Sequence, residues 1–477
     1  LNVLFVASES VPFIKTGGLG DVIGSLPKAL KHKKINVKVV LPLYRSVLEK
    51  YAEEMNYISD ITVELSWRKL YCGIFEMEHE GVEFYFIDNR QYFDRDGTYG
   101  YDDDLERFAF FSKAALAILP KIGFKPDVIH AHDWHTGLLP LFLKAFYSSD
   151  SFYSGIKTVF TIHNLHYQGV FGREKLGDVL GLDESYFNSD SLEYHGDINC
   201  MKAGIVYSDK LTTVSKTYSE EIKQPYFGEG LDGILRAREE DLTGIVNGLD
   251  YELYNPEKDK NIPVHYSAKT LSKKSENKLK LQKELGLEEN PKVPVLGLVS
   301  RLVDAKGIDL ILHIMEELLH TSDVQMVLLG TGDKRYEDSF RYMESKYRGR
   351  VVSYIGFRVD LSHRIYAGAD MLMMPSRFEP CGLSQLIALR YGTIPIVRET
   401  GGLNDTVSPY SDKTKGGNGF TFRHFNAHDM MHVIKEALEY YGNEKVWKHI
   451  VKNAMKSDYS WDKSAKDYIA LYRGLKR

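Results

Sequence analysis

Short, uniformly apolar runs recur along the chain, separated by longer stretches whose apolar positions follow helical spacing. In the first half the runs are Val3–Ala7, Val37–Leu41, Val82–Ile87, Asp127–Ala131, Thr158–Ile162 and Lys210–Val214. In the second half they are Val295–Val299, Val324–Leu329, Val351–Ile355, Met371–Met374 and Ile394–Val397. Runs of this kind between helices mark parallel strands buried on both faces. They predict an α/β fold of two Rossmann-like, doubly wound parallel-sheet domains. Length agrees, since 477 residues exceed the ~250–300 at which a single core stops growing. Residues 255–292 hold Pro256, Pro263 and Pro291 amid dense charge, with a short helical pattern at Asn277–Leu287. This places the first domain at 1–254 and the second at 255–458. In the remaining segment, 459–477, Trp461, Ala465, Tyr468 and Tyr472 share one helical face and predict a final helix.

Composition narrows the function. The net charge is −5, with 43% hydrophobic and 27% charged residues. That balance argues against gripping nucleic acid or an anionic membrane by bulk charge, so neither partner is expected. A neutral glycan suits such a surface, and local Lys and Arg clusters can still hold small anions. Cys72, Cys200 and Cys381 stand far apart without CxxC spacing. A disulfide framework or structural zinc site is not expected, and a reducing cytoplasm is. No apolar run approaches the ~20 residues of a membrane span. The stretch Asn2–Ala7 lacks a basic lead-in and runs into Glu9, so it reads as a strand and not as a signal peptide.

Residues with chemistry gather where predicted strands end, which is where open α/β sheets bind ligands. Glu9 and Lys15 follow the first strand. His130, His132 and Asp133 follow the fourth, and His163 with Asn164 the fifth. Arg301 and Lys306 follow Val295–Val299, and Glu379 follows Met371–Met374. Each domain therefore offers half of a site, and the cleft between them is the expected place for chemistry.

Four motifs stand out. Lys15-Thr16-Gly17-Gly18-Leu19-Gly20-Asp21 precedes a helix expected to open near Val22. Glycines let backbone N–H groups approach an anion, and the lysine suggests phosphate; a plain tight turn is the other reading. It is not the dinucleotide fingerprint, because Ile23 occupies the third glycine position. Arg301 and Lys306 can converge on one diphosphate, the first bidentate and the second as a point charge. Alternatively they are two solvated loop cations, and Lys306, as an exposed loop cation, should add little to stability. Glu379, in Arg377-Phe378-Glu379-Pro380-Cys381-Gly382-Leu383, is either a cleft-facing acid or an acid favoured at a helix start. Cys381 is read as a small packing residue, since no Cys/His/Asn signature accompanies it. The fourth motif pairs His130-Ala131-His132-Asp133-Trp134-His135 with His163-Asn164-Leu165-His166. No metal-ligand spacing occurs there, so hydrogen bonding to a polyol is favoured over a metal. Trp134 and Tyr167 either stack on sugar or belong to the core.

KTGGLGD, HAHDWH, IHN with YQG, TTVS, NGLD, SRLVDAKG, RFEPCGL and TGGLNDTV occur in that order over nearly the whole chain. Together they resemble glycosyltransferase family 5, the bacterial glycogen synthases and plant starch synthases, which have the GT-B fold. The resemblance implies ADP-glucose as donor, the non-reducing end of an α-1,4-glucan (glycogen, starch or a maltooligosaccharide) as acceptor, retention at the anomeric carbon, and no cofactor or required metal. It also implies a cytoplasmic location, or a plastid for a plant protein, and a final helix that crosses back onto the first domain.

Residue by residue, the resemblance implies that Lys15, Gly17 and Gly18 lie beside the diphosphate and sugar, with Asp21 in the donor cleft. Asp133 and His163 would contact the glucosyl unit, with Asn247 at its edge. Arg301 and Lys306 would hold the diphosphate, and Glu379, Cys381, Gly382 and Leu383 would line the sugar pocket. Thr400, Gly401 and Gly402 would form a further phosphate loop, and Phe357 would lie beside adenine. Many related GT-B retaining enzymes carry a second glutamate where this chain has Ile387. That departure fits family 5. The rival expectations are a GT-B transferase using UDP-glucose and a non-catalytic glycan-binding protein.

Overall fold

In the computed structural model, which describes residues 1–476, the apolar runs are strands. The first unit holds β1 (Asn2–Val6), β2 (Asn36–Pro42), β3 (Asn56–Leu65), β4 (Arg68–His79), β5 (Val82–Asp88), β6 (Val128–His132), β7 (Lys157–Ile162), β8 (Val170–Phe171), β9 (Glu193–Tyr194), β10 (Asp197–Asn199), β11 (Lys210–Thr213) and β12 (Leu242–Gly244). Nine of these form one sheet in the order β12-β11-β7-β6-β1-β2-β5-β4-β3, and β8, β10 and β9 form a small antiparallel sheet. From β12 to β5 every pairing is parallel. The hairpin β3–β4 adds an antiparallel edge. Strand β1 is buried at Val3, Leu4, Phe5 and Val6 because helices cover both faces of a parallel sheet.

The second unit has one wholly parallel sheet of β13 (Val295–Val299), β14 (Gln325–Gly330), β15 (Val351–Ile355), β16 (Met371–Met374), β17 (Ile394–Arg398) and β18 (Phe420–Phe422). Its order is β15-β14-β13-β16-β17-β18. Both units are thus doubly wound, as the sequence predicts. In each, strand order reverses beside the first strand of the sheet, between β1 and β6 in one and between β13 and β16 in the other. Ligands of such sheets bind at the carboxyl ends flanking that reversal.

The chain divides into Leu1–Gly248 plus the segment beginning at Trp461, and Leu249–Ser460. The break therefore falls before the proline-rich stretch that marks it in the sequence. Leu249 is buried in the second unit's core with Tyr266 and Tyr366, and its N–H donates to the Tyr459 carbonyl. The last helix, Trp461–Leu475, belongs to the first unit and buries Trp461, Ala465, Tyr468 and Tyr472, the face predicted from spacing. Among the described residues no helix is long and apolar enough to cross a membrane.

Candidate active site

At the reversal point of the first unit, β1 delivers Glu9 and β6 delivers Asp133. Glu9 is buried and fixes the glycine-rich loop: it accepts hydrogen bonds from Thr16 N–H, from Thr16 Oγ1 at 2.8 Å and from Gly17 N–H at 3.2 Å. Tyr99 adds its hydroxyl at 3.1 Å. The helix that follows spans Gly18–His32, so it opens earlier than Val22 and Gly17 is its N-cap. Lys15 pairs with Asp21 at 2.7 Å. Burial holds the Asp21 carboxyl above its ordinary range, and Lys15 opposes that shift. A Cβ added at Gly17 or Gly18 would meet nothing within 4 Å, and φ at Gly17 is −153°. The fold itself does not demand glycine at either place, and both positions open onto free space.

Asp133 sits at φ 56°, ψ 179°, a region almost reserved for glycine, which costs about 1–3 kcal/mol in a side-chain-bearing residue. The turn aims its carboxylate at the His163 N–H, which it accepts at 2.7 Å. Burial pushes the Asp133 carboxyl up to about 7, against the lowering effect of the His163 and Asn164 backbone.

Beneath it lies a column of histidines. His132 Nδ1 is 3.0 Å from His163 Nε2, and the His130 and His132 rings are 4.1 Å apart. His130 Nδ1 lies 2.7 Å from the Tyr472 hydroxyl of the last helix. Burial lowers His163 and His135 to about 3 and holds His130 and His132 well below the ordinary histidine value, so the column is neutral. His132 Nε2 is buried without a partner. The assignment that leaves no buried N–H unpaired puts the His132 proton on Nδ1, facing His163 Nε2. His163 then carries its own proton on Nδ1 and is a donor. Asn247, past β12, is buried with its Oδ1 unpaired. Trp134 is core, packed on Phe108 and Phe171, whereas Tyr167 is 55% exposed. Among the described residues no group of three or more His, Cys, Asp or Glu is placed to hold a metal ion.

The reversal point of the second unit is bridged by one ion pair. Lys306, past β13, donates to Glu379 Oε2, past β16, at 2.6 Å. Ser376 Oγ donates to the same oxygen at 2.8 Å. The Glu379 side chain is 8% exposed and that of Lys306 21%, so Lys306 is not the solvated loop cation of the second sequence reading. Arg301 is exposed. Gly307, at φ 68°, allows the Lys306 turn to rest on the Pro375 carbonyl. Arg398 donates to the carbonyls of Ser376 at 2.9 Å and Arg377 at 2.7 Å, holding the approach to Glu379.

Thr400 is the buried N-cap of the helix Gly401–Thr406. A Cβ at Gly401 would press into the Glu379 carbonyl and one at Gly402 into that of Cys381. These two glycines are demanded by the packing of the Glu379 loop, unlike Gly17 and Gly18. Cys381 is buried, and none of the three cysteines is in a disulfide. Gln385 donates to the carbonyls of Cys381 at 2.9 Å and Gly382 at 3.0 Å, which fixes the turn before Leu383. Phe357, past β15, is 85% exposed.

Residues 2–237 match the family described as the starch synthase catalytic domain, and residues 279–457 match glycosyl transferases group 1. The chain is 54% identical to a glycogen synthase of Desulforamulus reducens, over 100% of this chain and 99% of that one. It is 53% identical to a glycogen synthase of Lachnospira eligens, over 99% and 100%. The chain belongs to the glycogen and starch synthase family.

Its structure is similar to the catalytic domain of starch synthase IV from Arabidopsis thaliana bound to ADP and acarbose, with TM-score 0.92 and 35% identity over all of both chains. Sucrose-phosphate synthase from Thermosynechococcus elongatus shares the fold, with TM-score 0.61 and 16% identity over 99% of this chain and 98% of that one. Membership makes the chain a glycosyltransferase acting on glucan, with the GT-B pair of parallel-sheet domains. Within that family frame, the Glu9, Ser376, Arg398 and Tyr472 contacts are what sequence reasoning left out of the site. Glu9 had a signal in its place at a strand end, and Tyr472 in its place on the apolar face of the last helix.

Proposed function

We propose that this chain transfers glucose from ADP-glucose to the non-reducing end of an α-1,4-glucan with retention of configuration. The observation that carries the reading is the Lys306–Glu379 pair across the reversal point of the second sheet, with Arg301 exposed past the same strand. A cation fixed there, as Lys306 is, suits a departing diphosphate, because charge that develops on the leaving oxygen meets a group already in place. Arg301 and Lys306 take the diphosphate, and Thr400 lies beside it. Lys15 and the open Gly17–Gly18 turn let backbone approach the donor, and Phe357 offers a ring to the base. Asp133 and the His163 Nδ1–H hold hydroxyls of the glucosyl unit.

Glu379 already accepts from Lys306 and Ser376, which favours a holding role over that of nucleophile. We therefore favour departure and attack on one face of the sugar. The C1–O bond to ADP breaks with its electron pair leaving on phosphate. The acceptor 4-hydroxyl bonds to C1, and its proton passes to the departing phosphate oxygen. The lack of a disulfide among Cys72, Cys200 and Cys381 fits a cytoplasmic location.

With glycogen as acceptor, ADP-glucose should give a much higher kcat/KM than UDP-glucose, and the product should be lengthened α-1,4 chains. Equal or better use of UDP-glucose would replace the donor. Metal removal gives a separate outcome. Enzyme dialysed against chelator should keep its rate, because Arg301 and Lys306 supply the charge that a cation supplies elsewhere. A loss restored by a divalent ion would return attention to the histidine column.

A further inference from the structure

The far edge of the first sheet carries a feature that glucosyl transfer does not use. The hairpin β3–β4 turns through Ser66 at φ 53° and leaves Trp67 72% exposed. Tryptophan has more apolar surface to hide than other side chains, so an indole left in water and yet held still calls for a partner. This one is held on two sides. Its Nε1–H donates to Asp178 Oδ1 at 2.9 Å, and the Arg68 guanidinium covers one face at 4.4 Å from a ring centroid. Arg68 is anchored in turn to Asp178 Oδ2 at 3.1 Å and Glu106 Oε2 at 3.2 Å. Ser66 Oγ donates to the Gly177 carbonyl at 2.9 Å. Gly181, at φ 66°, lets that segment approach the Ser66 backbone, where a Cβ would come within 3.1 Å of Ser66 Cα. The turn is thus clamped onto residues 177–181, with one indole face open.

An open aromatic face with a carboxylate at its edge and a guanidinium behind it matches a pyranose, which offers an apolar C–H face and a rim of hydroxyls. Asp178, held below the ordinary carboxylate range by the indole N–H and Arg68, stays an acceptor. A protein partner would need an apolar core around its anchor. Exposed Glu64 and Lys69 are paired across the hairpin, and exposed Gly177 and Asp178 lie on the segment it is clamped to; the next exposed apolar residue along β4 is Tyr71. Strand β4 is also three positions along the sheet from β1, the nearer strand of the reversal point.

We propose that Trp67, with Asp178 at its edge and Arg68 behind it, forms a second glucan-binding site that holds a chain of the polymeric acceptor while another chain end is extended. The proposal rests on the glucan-transfer reading above. One weak stacking site is enough, since a polymer tethered at one point raises the effective concentration of its other ends.

The test is affinity electrophoresis of the full chain in gels containing glycogen, beside kinetics with glycogen and with maltotriose. Trp67→Ala should weaken glycogen binding by about three- to tenfold, the equivalent of one stacking contact, and raise KM for glycogen in step. Maltotriose kinetics, KM for ADP-glucose and the melting temperature should stay as in wild type, and Trp67→Phe should keep most of the binding. Unchanged glycogen retardation in folded Trp67→Ala overturns the proposal, and so does an equal loss with maltotriose. If wild type is an oligomer and Trp67→Ala a monomer, the indole is a protein contact and the proposal falls. Wild type that turns over ADP-glucose on maltotriose but is not retarded by glycogen sinks this inference and spares the transfer reading. Retardation without turnover does the reverse.

Discussion

Lys306→Ala is expected to lower kcat by about 10²-fold or more, with a smaller change in KM for ADP-glucose. The cation is worth most when the C1–O bond is breaking, because only then does the leaving oxygen carry its full charge. The structure adds a stability effect. Removing the ammonium leaves the Glu379 carboxylate, 8% exposed, with the Ser376 hydroxyl as its hydrogen-bond partner. Breaking one side of a fully buried pair costs about 3–5 kcal/mol, and Lys306 is partly solvated, so about 1–3 kcal/mol is expected. The sequence reading of a loop cation nearly neutral for folding is revised accordingly. Lys306→Arg should recover the stability and only part of kcat, since a planar fork replaces a point charge. Steady-state kinetics beside a thermal melt of each variant separate the two effects. A raised KM with kcat intact would move the leaving-group role to Arg301 or Lys15.

The second large effect comes from a contrast between glycines. Gly402→Ala would push its methyl into the Cys381 carbonyl and Cα, atoms of backbone that cannot swing aside. A cost of about 3 kcal/mol or more is expected, a fall of about 6–12 °C in Tm for a unit of this size, with activity lost as the Glu379 loop shifts. Gly17→Ala should melt like wild type, because its Cβ enters open space, yet it should lower kcat/KM for ADP-glucose. Full activity in Gly17→Ala would remove that loop from the donor site. A wild-type Tm in Gly402→Ala would show that the Glu379 loop yields more readily than its packing implies.

These cases show what the sequence makes legible. Strands buried on both faces are continuous apolar runs, so ten of them, together with the edge strand β15, the two domains and the residues at their carboxyl ends can be read directly. Most edge strands leave no such run. In β3 the buried positions Val63 and Leu65 alternate with exposed Thr62 and Glu64, and β3–β4 has no counterpart among the apolar runs. The order of strands is not local information either. That Lys306 and Glu379 flank one reversal point follows from β16 pairing with β13, a contact between segments far apart in the chain. Glycine motifs look alike in sequence whether the glycine serves the fold, as at Gly401 and Gly402, or a ligand, as proposed for Gly17 and Gly18. Tyr472 was visible as a helix-face residue, but its hydroxyl on His130 depends on where that helix docks.

That docking has a consequence for synthesis on the ribosome. The first unit is finished by the helix Trp461–Leu475, whose Tyr468 and Tyr472 are fully buried there. All of the second unit is translated in between. At about 5–20 residues per second, those roughly 210 residues impose a wait of about 10–40 s. Throughout it, the surface that receives Tyr468 and Tyr472 is exposed on a nascent chain. The second unit, continuous in sequence, can fold during that interval, so the unit translated first is the one completed last. Chains released early by premature termination would carry that uncovered apolar face and are the natural clients of chaperones and proteases.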